Sequence, residues 1–134
     1  MPIVLNEGED LQVRTSPGGP LELRLGGDLV TEEGKKNLTA WVADVKKTLA
    51  QLKAESGGDI YIIVDINTLK NFDDGSVSIL KELASWSKGY DTKTAVIGGS
   101  LFSLMALRAI VIFSKRDNMK AFDSREEALK WFKH

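Results

Sequence analysis

The chain has 134 residues, a length that suits one domain with a single sizeable core. Its 18 lysines and arginines nearly balance 19 aspartates and glutamates, so the basic field that phosphate-backbone binding needs is missing and no nucleic-acid partner is expected. Cysteine is absent, which removes disulfides, thiolate nucleophiles and thiolate metal sites, and the one histidine is the terminal His134.

The first ten residues, MPIVLNEGED, turn acidic before an apolar signal core forms, so no secretory leader is expected. The most apolar run, Leu101 to Phe113, is interrupted by Ser103 and Arg108 and is too short to span a bilayer. A cytoplasmic protein is expected on these grounds.

In chain order, Leu11–Thr15 and Leu21–Leu25 read as strands around the turn-forming SPGGP. In LELRL the leucines alternate with Glu22 and Arg24, the period of a sheet wetted on one face. An antiparallel hairpin ending at Gly26-Gly27 is therefore predicted. Thr31 offers an N-cap, and Glu32 and Glu33 follow in the first turn, where the helix dipole favours them. The helix is predicted to run to about Lys53, burying a stripe of Leu38, Val42, Val45, Leu49 and Leu52, with Trp41 and Thr48 beside it. Its lysines at 35, 36, 46, 47 and 53 are read mostly as a solvated face.

Ser56-Gly57-Gly58 stops that helix. The run Ile60 to Val64 has no polar alternation, so this strand should be covered on both faces. Asp73 or Asp74 caps the next helix, predicted to about Lys88 with Val77, Leu80, Leu83 and Ala84 inward. Ile79 and Trp86 lie on a neighbouring face. Lys93–Gly98 reads as a strand, and Ser100 opens a helix to about Ser114. Lys120–Phe122 reads as a short strand. Ser124 to Glu127 forms a capping box for a last helix with Ala128, Leu129, Trp131 and Phe132 inward. The order is that of an α/β fold: a hairpin, then parallel strands joined by right-handed crossovers in a mixed sheet.

Several of these segments together resemble a known family. The strand ending Val64-Asp65-Ile66, the loop to Asp73, the Gly75-Ser76 helix start and the KTAVIG strand are similar to STAS domains, the fold of the anti-anti-sigma factors. The ending NMKAFDSREEALKWF is similar to the SpoIIAA-like subfamily of stand-alone STAS proteins. The likeness spans roughly Leu21 to Phe132 and implies one STAS domain over 1–134.

In signalling members of that family the loop ends in a D-S-S-G type motif whose serine is phosphorylated at the helix start. Here the chain reads D-D-G-S from Asp73 to Ser76, so Asp74 and Gly75 stand at the serine positions. The usual switch is therefore not expected. A one-residue slip would present Ser76 instead, pointing elsewhere on the first turn. Asp65, at the carboxyl end of its strand, is read either as a functional carboxylate or as a partner for loop N–H groups.

The segment LFSLMALRAIVIF is apolar nearly all round as a helix. Either the sheet and last helix bury it, or it lines an apolar cavity or faces a partner or membrane. Met105 suits an adaptable wall, and Arg108 needs an acid, a ligand headgroup or solvent.

No catalytic residue, metal site or cofactor is expected. The leading expectation is a binding or regulatory domain acting on a protein partner through Asp65, Asp73, Asp74, Ser76, Ile79 and Trp86. The resemblance also implies an alternative, a carrier or sensor of a lipophilic small molecule. Its pocket would be formed by Phe102, Met105, Arg108, Ile110, Trp131 and Phe132, with peripheral membrane contact. A homodimer would shield the apolar helix.

Overall fold

The computed structural model describes residues 3–4, 11–15, 19–56, 60–87, 92–98, 119–122 and 124–133. The expected helix from Ser100, with Phe102, Met105, Arg108 and Ile110, lies outside the described residues, as do Gly57-Gly58 and His134.

The elements in chain order are β1 (Ile3–Val4), β2 (Leu11–Thr15), β3 (Leu21–Leu25), β4 (Gly27–Asp28), α1 (Glu32–Ser56), β5 (Ile60–Asp65), β6 (Leu69–Asn71), α2 (Asp74–Ser87), β7 (Thr92–Ile97), β8 (Met119–Phe122) and α3 (Arg125–Phe132). Among the described residues, six strands form one sheet in the order β1-β2-β3-β5-β7-β8, and β4 and β6 form a separate pair. Strand β2 runs antiparallel to both β1 and β3. From β3 onward the pairs β3–β5, β5–β7 and β7–β8 are parallel. The molecule is thus an α/β protein with a mixed sheet and helices packed on it.

Sequence periodicity explains why the layers form. Leu21, Leu23 and Leu25 are buried, while Glu22 and Arg24 on the other side are only half-buried. Val13, at 0% exposure, continues the same face on β2. Against this face lie Leu38, Trp41, Val42, Val45 and Leu49 of α1 and Val77, Leu80 and Ala84 of α2. Trp41 also donates its indole N–H to the Gln12 carbonyl at 3.1 Å, which pins α1 across β2.

Strand β5 is covered on both faces, as its unbroken apolar run predicted. Ile60 and Ile62 enter the main core, whereas Ile63 joins Ala95, Ile97, Ala128 and Phe132 on the opposite face. Helices α1 and α2 therefore share one side of the sheet and α3 takes the other. Three elements were not foreseen. Strands β1, β4 and β6 have two or three residues each, too few to show a period. They exist through their partners rather than through their own composition.

Candidate functional site

The switch-like segment lies at the carboxyl ends of the parallel strands. Its position is set by a backbone zipper between the loops that leave β3 and β5. Gly27 N–H donates to the Thr68 carbonyl at 2.9 Å, and Leu29 N–H to the Asn71 carbonyl at 2.9 Å. Gly27 adopts φ 82°, a left-handed conformation that glycine tolerates without a Cβ clash. Gly26 meets Thr68 so closely that a Cβ there would collide with the threonine side chain. Leu29 and Leu69 sit buried beneath the pair.

This zipper sets the two helix starts beside each other. On α1, the Thr31 hydroxyl oxygen accepts the Gly34 N–H at 2.9 Å, the N-cap read from the sequence. One turn further, the Lys35 ammonium lies 2.7 Å from the Asp73 carboxylate. Asp73, not Asp74, caps α2. Its Oδ1 accepts the Ser76 N–H at 2.9 Å, and its own N–H donates to Ser76 Oγ at 2.9 Å. The Ser76 hydroxyl proton is shared between the Asp73 carbonyl at 3.0 Å and Oδ1 at 3.2 Å. The result is a reciprocal capping box with serine in the place usually held by glutamate. Asp74 and Gly75 are exposed on the first turn, whereas Ser76 is 0% exposed.

Gly75 has a role that the motif comparison does not suggest. A Cβ at this position would stand 3.1 Å from Lys35 Nζ and 3.2 Å from Lys35 Cε. The lysine thus lies over the bare backbone of Gly75 to reach Asp73.

Asp65 is engaged locally. Its Oδ1 accepts both the backbone N–H and the side-chain amide of Asn67 at 2.9 Å, closing an Asx turn after β5. Ile79 and Trp86 are half-buried and pack against the main core, so they do not form an outward apolar pair. The Lys46 ammonium lies 5.5 Å from the Trp86 ring centre and 3.5 Å from Glu82. Asp74, Ser78, Glu82 and Ser85 are exposed along α2. Trp131 and Phe132 sit on α3, on the far side of the sheet. Their rings are 5.7 Å apart, with Phe122 5.4 Å from Trp131 and Tyr61 stacked 4.9 Å from Phe132.

The structure therefore brings Asp65, Asp73, Asp74 and Ser76 to one end of the sheet and leaves Trp131 and Phe132 elsewhere. Lys35 is the site residue that sequence reasoning missed. Helical spacing puts Lys35 among the outward lysines, and its partner Asp73 lies 38 residues along the chain. Among the described residues no cluster of His, Asp or Glu could hold a metal ion, and no helix is long and apolar enough to cross a membrane.

The charge on Asp73 has a measurable consequence. The hydrogen bond from Lys35, followed by the Ser76 N–H, holds its carboxyl below the ordinary 3.8, with slight burial acting the other way. A depressed folded value means that the stabilisation is present above 3.8 and is withdrawn as pH falls through the lower folded value. Asp73→Asn keeps the capping oxygen and removes this titration. We expect its stability to fall less than that of the parent between pH 5 and the acid transition, as read by urea midpoints at each pH. Parallel curves would show that Asp73 contributes no proton linkage.

No family model, no curated protein and no solved structure matches this chain.

Proposed function

We propose that the chain is a STAS-like domain of the SpoIIAA-like kind, a non-enzymatic regulatory module that binds a protein partner without a phosphoserine switch. The observation that carries this reading is the junction from Asp73 to Ser76. The N–H and the hydroxyl of Ser76 are both used inside the capping box, and the residue has no exposed surface. A hydroxyl in that setting is closed to a kinase unless the helix start unfolds. Asp74 and Gly75, at the positions where the family motif carries serines, face solvent on a start held by Lys35 and Asp73. A carboxylate at Asp74 supplies fixed negative charge where signalling relatives of the fold acquire it by modification.

The partner face of this module is the exposed edge of α2, Asp74, Ser78, Glu82 and Ser85, rather than Ile79 and Trp86. The test is affinity capture with the tagged chain, comparing the parent, Asp74→Lys and a remote charge reversal at Lys130→Glu. We expect a protein that the parent and the Lys130 variant retain, and that Asp74→Lys loses by about tenfold or more. Equal capture by all three would remove this face.

A second reading, a carrier of a lipophilic small molecule, draws on the aromatic group of Tyr61, Phe122, Trp131 and Phe132 on the other side of the sheet. Native mass spectrometry separates the two. A bound mass that disappears on denaturation supports the carrier, and its size gives the chemical class.

A further inference from the structure

Helix α3 is attached to the sheet differently from α1 and α2. It has eight residues, of which Ala128 and Phe132 are buried and Leu129 and Trp131 pack partly buried against the same cluster. They rest on Ile63, Ala95 and Ile97, a cluster on the opposite side of the sheet from the main core. Polar contacts hold both ends of α3. At its start the Arg125 Nε lies 2.9 Å from Glu22, with side-chain exposures of 52% and 36%. At its end the Lys93 ammonium donates to the Trp131 carbonyl at 3.2 Å and lies 4.7 Å from the Trp131 ring centre.

A helix of this length does not persist in water by itself, because its nucleation cost is not recovered over two turns. Its helicity therefore depends on its seat. Once the two ends release, the Ser124 cap alone does not sustain a partly seated helix of two turns. We propose that α3 is a cover that opens and closes as one unit over β5 and β7, independently of the main core, uncovering Ile63, Ala95 and Ile97. The sheet stays folded when α3 leaves, since Val13, Leu23, Ile62 and Val96 are held from the other face by α1 and α2. The device stands apart from the α2 partner face and does not rest on that reading.

Opening as a unit differs from end fraying. Fraying releases Phe132 long before Ala128, whereas a cover gives one rate for the amides of 128–132. The absence of native cysteine allows a second, clean probe. Ala95, at 0% exposure beneath α3, is replaced by cysteine, and Val13, at 0% exposure in the main core, serves as the control site.

Hydrogen exchange on the unaltered chain should give one common rate across 128–132, at least about tenfold faster than for the α2 amides. Thiol labelling of Ala95→Cys should outpace that of Val13→Cys by a similar factor. Raising the salt from about 0.05 M to about 1 M should speed only the α3 probes, by roughly two- to threefold, because the Arg125–Glu22 pair is exposed and screened. Arg125→Ala should do the same at low salt. A common rate for α3, α2 and both thiols, following global unfolding, would overturn the proposal. So would a graded release from Phe132 back to Ala128. The exchange measurement uses the native chain and decides the matter even if a cysteine variant does not fold.

Discussion

Trp41→Ala is expected to destabilise the protein by about 3–5 kcal/mol, the range for removing a large buried aromatic side chain. The indole is 1% exposed and lies between α1 and β2. The lost packing is only part of the effect. Its N–H is the donor to the Gln12 carbonyl, which then lacks that partner beneath the helix. Against a typical net stability of about 5–15 kcal/mol, such a loss brings the variant close to unfolding at ambient temperature. Trp41→Phe separates the two contributions, since it keeps much of the apolar volume but still removes the donor. A urea midpoint for Trp41→Ala near that of the parent would show that the α1–β2 seat is not what holds the layers together.

Gly26→Ala should cost about 1–3 kcal/mol through overpacking, a large effect for the addition of one methyl group. The new Cβ meets the Thr68 side chain first, and it also stands 3.1 Å from the Thr68 carbonyl carbon. The loop after β5 must then withdraw, stretching the 2.9 Å bond from Gly27 N–H to the Thr68 carbonyl. The disturbance should reach the candidate site, since the same loop carries Asp73 toward Lys35. Amide chemical shifts of Ser76 and Gly75 should move in Gly26→Ala, while those of α3 stay in place. Thr68→Ala removes the nearest atom and should recover part of the stability. The double-mutant cycle therefore carries a favourable coupling. Strict additivity of the two changes would falsify the proposed contact.

Much of the architecture was legible because it follows from local chemistry. The hairpin strands Leu11–Thr15 and Leu21–Leu25 begin and end where alternation and turn residues place them. Helix α1 runs to Ser56, three residues beyond the expected end near Lys53. Ser124 caps α3 as expected, with its hydroxyl oxygen accepting the Glu127 N–H at 3.2 Å. In each case a few adjacent side chains contain the information.

The candidate site was legible as a segment but not as an arrangement. Asp65 and Asp73 were readable as residues that serve nearby backbone N–H groups, because those partners are two or three positions away. Lys35 was not, because its partner lies 38 residues along the chain. Helical spacing sets Ile79 and Trp86 off the main stripe of α2, and both pack, partly buried, against the main core.

The sequence by itself determined the alternation of strands and helices, the buried stripe of each, and the helix caps, since periodicity and capping act over four or five residues. Only the tertiary structure decided that two glycines next to β3 zip onto the loop after β5, and that this contact aims Lys35 across Gly75 at Asp73. It also decided that Ser76 is enclosed rather than presented, and that α3 sits on the opposite face from α1 and α2. Those outcomes depend on which loop approaches which, and such approaches are set by the packing of the whole sheet.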